Sequence, residues 1–132
     1  MTEKYLHISV KDIPLFRGKL ILIISNDTEG VKKHLPNFGD RNVYAHTCYY
    51  NWKGHGAFFI VLNFDNPYRK VYHGTITHES IHAANMIADN RGVLADFSND
   101  EPIAYLAEWI ADQAYSFADS SGFTPSLIAV KK

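Results

Sequence analysis

The order of patterns along the chain predicts an α+β fold, with helices packed on one face of a mixed or antiparallel sheet. Three observations carry this. Short apolar runs rich in β-branched and aromatic residues fill the front half. Two longer stretches with helical periodicity fill the back half. No linker, internal repeat or low-complexity tract separates them, so the 132 residues are expected to share one core as a single domain, 1–132.

Residues 5–10 are expected to add a first strand. Residues 19–25 read Lys-Leu-Ile-Leu-Ile-Ile-Ser, a buried strand. Residues 27–35 predict a short helix stopped by Pro36. Residues 42–50 and 57–63 predict two more strands. The intervening Trp52-Lys53-Gly54-His55-Gly56 is a turn, so these strands form an antiparallel hairpin. The aromatic set Tyr44, Tyr49, Tyr50, Trp52, Phe58 and Phe59 has no basic neighbours and reads as hairpin packing.

The stretch 75–89 predicts a largely buried helix, with Gly74-Thr75 or Thr77 as its start signal. A second helix opens at Glu101, with Pro102 in its first turn where a missing N–H does no harm. Ile103, Leu106, Ile110, Ala114 and Phe117 mark its core side. Glu108 and Asp112 fall on a solvated face and are fallback acids. Residues 119–125 look loop-like, and 119–132 is expected to be a loose tail.

A net charge of −1 gives no electrostatic footprint for nucleic acid or an anionic membrane, so neither is expected as a partner. The lone Cys48 forms no internal disulfide and reads as a small core residue of a strand rather than a catalytic thiol. The opening Met-Thr-Glu-Lys-Tyr-Leu is not a signal peptide, and there is no run of eighteen apolar residues. The expected setting is the cytoplasm, of a bacterial cell or of a phage-infected host.

The chemistry-bearing feature is His78-Glu79-Ser80-Ile81-His82, followed by eighteen residues and then Glu101. Residues four apart on a helix share a face, so His78 and His82 can offer both imidazoles to one ion. Catalytic zinc takes three protein ligands and keeps a fourth position for water. Glu79 is turned about 100° from His78, off the ligand face but within reach of that water, as a general base. Glu101 admits two readings. One is a helix capping box with Ser98, and the other is the third metal ligand, which the histidine pair upstream favours. His73, Tyr72 and Tyr105 are candidate donors to a developing oxyanion. Tyr105 is preferred because it shares Glu101's helical face. Asn85 is placed to bond a ligand's outer nitrogen. His34, His46 and His55 lack ligand spacing and read as surface histidines.

The string HExxH-x18-E resembles the gluzincin metallopeptidases, which include thermolysin-like enzymes and one-zinc aminopeptidases. Asp100-Glu101-Pro102-Ile103-Ala104-Tyr105 is similar to their Asn-Glu-Gly-Phe-Ala segment, with Glu101 and Ala104 in register. The resemblance covers roughly residues 57–117. It implies a minimal zincin-like domain of the kind found in bacteria and phages, with zinc on His78, His82 and Glu101 and Glu79 as base. Where thermolysin-like members carry an aspartate four residues after the ligand glutamate, this chain has Tyr105. The expected activity is zinc-dependent hydrolysis of a peptide or protein substrate. The alternative is a catalytically silent zinc-binding interaction protein, for example phage-encoded, on the same scaffold.

Overall fold

The computed structural model describes residues 3–39, 45–62, 70–94 and 96–126. Four strands, β1 (Leu6–Asp12), β2 (Lys19–Ser25), β3 (Ala45–Trp52) and β4 (His55–Leu62), form one sheet in the order β1-β2-β4-β3. β1 with β2 and β3 with β4 pair antiparallel, while β2 and β4 run parallel, so the sheet is mixed. The first strand lies slightly later than 5–10, and the expected strand ends 42–44 and 63 lie outside the described residues.

The two central strands read as unbroken apolar runs because both of their faces are covered. Alternate side chains feed opposite cores. Leu20, Leu22 and Ile24 join Phe58, Ile60 and Leu62 on one face. Ile21 and Ile23 join Ala57, Phe59 and Val61 on the other. The hairpin between β3 and β4 turns on Lys53 and Gly54, at φ 51° and 91°. Positive φ at both central residues is what a two-residue hairpin turn requires, and glycine supplies the second at no steric cost.

The second core is closed by α1 (Thr28–Lys32) and the segment after it, through Val31, Leu35 and Phe38. α1 is shorter than the expected 27–35. Asp27 caps it by accepting from the Gly30 amide at 3.1 Å. The first core is closed by α2 (His73–Asn90) and α3 (Glu101–Ser120), which lie on the same side of the sheet.

α2 starts earlier than the polar signals at Gly74-Thr75 or Thr77 suggest. It follows directly on a short strand, β5 (Lys70–Tyr72), and Tyr72 at its N-cap is extended and makes no side-chain cap. At the other end Gly92 takes φ 73°, and the Gly92 and Val93 amides satisfy the carbonyls of Asp89 and Ala88. The Ser98–Glu101 capping box does not form. Ser98 instead donates from its amide (2.9 Å) and hydroxyl (2.7 Å) to Asp96. Those two bonds hold the Asp96 carboxyl below the usual range, the hydroxyl acting most strongly.

Residues 119–125 are not all loop. The chain leaves α3, buries Phe123 in the first core and adds β6 (Thr124–Ser126) parallel to β5. The large apolar Phe123 is what pulls this segment back onto the fold. No helix among the described residues is long and apolar enough to cross a membrane.

Cys48 sits half-buried on β3, facing the second core. It borders a cavity of about 170 Å³ lined in part by Leu35, Phe38, His46 and Tyr50. Burial pushes its thiol up from 9.0 to about 11. The thiolate is the reactive form, so the native protein at pH 8 should alkylate about 100-fold more slowly than the unfolded chain. The folded state also holds this proton more tightly, so Cys48's contribution to stability should be lost as pH rises from 9.0 towards about 11. Iodoacetamide kinetics with and without denaturant measure the first effect. Equal rates would remove both.

Candidate metal centre

α2 is amphipathic, and its polar face carries the two candidate histidines. Ile76, Ser80, Ala83, Ala84, Ile87 and Ala88 are buried against the sheet and α3. A period of 3.6 residues then places His78, His82, Asn85 and Asp89 on the outward side, and all four are exposed. The His78 side chain is 67% exposed.

Their Nε2 atoms lie 3.1 Å apart with the rings edge to face. Two nitrogens each about 2.0–2.1 Å from a common tetrahedral ion would be separated by roughly 3.3 Å. The observed separation is close to that value. The same separation also lets one neutral imidazole hydrogen-bond to the other in the absence of an ion.

Glu79 lies on a different flank of the helix, turned towards β3, and is buried. The Thr47 hydroxyl donates to its Oε1 at 2.6 Å. Its Oε2 lies 3.9 Å from His78 Nε2. One carboxylate oxygen is thus held by the sheet and the other is turned towards the histidine pair. Glu79 is not itself a member of the pair, as one step of about 100° along the helix requires.

Glu101 is exposed at the first position of α3, on the stripe that continues through Tyr105, Glu108 and Asp112. Leu106, Ile110, Ala114, Phe117 and Ala118 face the core, as the periodicity predicts, apart from Ile103, which is only partly buried. Among the described residues, no three His, Cys, Asp or Glu side chains converge as a metal-holding group. His78 Nε2 lies beside His82 Nε2 and 3.9 Å from Glu79 Oε2, and no contact among the described residues adds Glu101 to either pair.

The way the helices pair explains the gap. The Tyr115 hydroxyl meets His73 Nδ1 at 2.7 Å, so the end of α3 lies against the start of α2 and the helices run antiparallel. From Tyr115 back to Glu101 is about 21 Å of helix, and from His73 on to His82 about 13.5 Å. With the two axes aligned and that contact marking a common level, Glu101 would sit about 7 Å beyond His82 and Glu108 within about 3 Å of it.

The remaining candidates fall out as follows. His73 is occupied by Tyr115 rather than free for an oxyanion. Partial burial raises the Tyr115 phenol above its ordinary value, and the Thr77 hydroxyl draws it partly back. Tyr105 is 49% exposed on the outer stripe with Glu101. Asn85 shares the histidine face, and no hydrogen bond among the described residues ties it to either imidazole. His46 and His55 are exposed, and His34 rests near the Trp52 ring.

Sequence reasoning did not find Thr47. Its signal is a polar residue among the inward-facing positions of β3, opposite Ile60 of the first core. Locating its partner required the sheet register. No family model, no curated protein and no solved structure matches this chain.

Proposed function

We propose that the protein is a zinc-dependent peptidase of zincin-like architecture, with His78 and His82 as metal ligands and Glu79 as general base. The observation that carries this is the 3.1 Å separation of the two Nε2 atoms beside a buried carboxylate that presents one oxygen towards them. Zinc, when bound, would supply Lewis acidity and a water ionisable near neutral pH.

The chain's own residues do the rest. The imidazoles hold the ion on an exposed helical face, open to a large substrate. Glu79 takes the proton from the attacking water and returns it to the leaving amine. β3 is the outer strand of the sheet order and lies beside α2 through Thr47, so an extended peptide has an edge to pair with.

A carboxylate from the outer stripe of α3 completes the ligand set. Glu101 has the spacing of the resemblance, and Glu108 has the axial level of His82. Exposed glutamates at these positions contribute nothing to either core, so each can be tested without damage to the fold.

The test is metal analysis with substitution. Purified wild type should hold one zinc per chain, and His78→Ala or His82→Ala should weaken zinc binding by at least about 100-fold. The true third ligand is the glutamate, Glu101 or Glu108, whose change to Gln weakens zinc binding while the other leaves it unaltered. A wild type without zinc affinity, or a His78→Ala protein binding as tightly as wild type, removes the proposal.

A further inference from the structure

We infer that Thr47 is the positioning residue for Glu79, fixing which carboxylate oxygen faces the histidine pair. This rests on the reading of Glu79 as base. The geometry is specific. Thr47 lies on β3 between Ala45 and Tyr49, whose register partners Leu62 and Phe58 belong to the core beneath α2. It is 9% exposed, and Glu79 is 7% exposed.

A hydroxyl has a single proton to give. The Thr47 oxygen is 2.6 Å from Glu79 Oε1 and 3.4 Å from the Glu79 carbonyl. The shorter contact takes the proton, because the carbonyl already serves the helix. Oε1 is thereby anchored and Oε2 is left at 3.9 Å from His78 Nε2.

Glutamate has three side-chain torsions, and confining them costs rotamer entropy that a fixed partner must offset. Threonine is stiff at its first torsion, being β-branched, so the anchor itself is rigid. The sheet, and not the helix alone, therefore determines where the base points.

Thr47→Val removes the hydroxyl and keeps the shape. On a fluorescence-quenched peptide, kcat should fall about 10–100-fold, while KM and bound zinc stay unchanged. Thr47→Ser should restore kcat to within about threefold, since it returns the donor. A purely structural role would lower stability without that split or that rescue. A crystal structure of metal-free Thr47→Val should show Glu79 divided between rotamers.

Unchanged kcat in Thr47→Val, with Glu79→Gln inactive, would overturn the inference and leave the reaction standing. Should the wild type hydrolyse nothing, the peptidase reading has failed instead. The rotamer of Glu79 in the metal-free variant then decides the inference by itself. A single undisturbed rotamer rejects it. Thr47→Ala provides the same comparison if the valine variant does not fold.

Discussion

Glu79→Gln is expected to abolish hydrolysis while leaving zinc in place. The loss should be about 10²–10⁴-fold in kcat/KM, the range for removing a positioned general base. The substitution is close to isosteric and keeps a carbonyl oxygen that can accept from Thr47, so the 2.6 Å contact has a replacement. It removes the ability to take a proton. Neither imidazole is changed, so metal content should stay at the wild-type level. Activity within tenfold of wild type would mean that another group acts as base. Joint loss of zinc and activity would make Glu79 a ligand or a structural support. An interaction protein without turnover gives a third pattern, in which zinc is retained, there is no hydrolysis in the wild type, and any biological activity survives the substitution.

The second large effect is on folding. Phe58→Ala should destabilise the protein by roughly 3–5 kcal/mol, from lost transfer energy and the cavity left behind. That is a large share of the roughly 5–15 kcal/mol holding a typical domain together. Phe58 is 1% exposed on central strand β4, paired with Leu20 of β2 and Tyr49 of β3. Its ring lies 4.9 Å from that of Tyr49, and the Arg91 guanidinium lies 5.8 Å from its centre. Arg91 in turn donates to the carbonyls of Phe16 and Arg17, tying the end of α2 to the turn between β1 and β2. Neighbours fixed on three sides have little freedom to collapse into the void. Urea unfolding should show a midpoint lower by roughly 2 M. A shift under about 0.5 M would mean that the site relaxes and that the rigid neighbourhood described here is wrong.

Much of the fold is legible in the residues. The run 19–25, the hairpin turning near Gly54 and the two back-half helices all appear with small shifts of boundary. What escaped is non-local. The pairing of β5 with β6 depends on Phe123 docking into a core made by distant elements, and three residues between a turn and the tail carry no period of their own. The start of α2 is not legible because the helix grows straight out of a strand, so the polar signals at Gly74-Thr75 and Thr77 are not used as caps.

The site divides the same way. His78 and His82 were legible because a helix fixes the relation of residues four apart, and their nitrogens do meet. The separation of Glu79 from the face of the two histidines is legible for the same reason. Glu101 has only its distance along the sequence to place it, and that distance says nothing of how far α2 extends before the chain turns back. α2 continues two turns past His82 to Asn90 before the chain turns towards α3. Thr47 belongs to a strand more than thirty residues upstream, and no local pattern announces it.

The outward placement of the two imidazoles has a practical meaning for how this molecule tolerates change. The side of α2 that holds the domain together and the side that meets solvent share few residues, so the histidines are spectators to folding. Chains lacking either ring should accumulate, refold and crystallise like the parent. They can then serve as references in which any difference in behaviour belongs to the lost imidazole and not to the scaffold. Glu79 and Thr47 are where that independence ends, since one bond there joins the sheet to the helix.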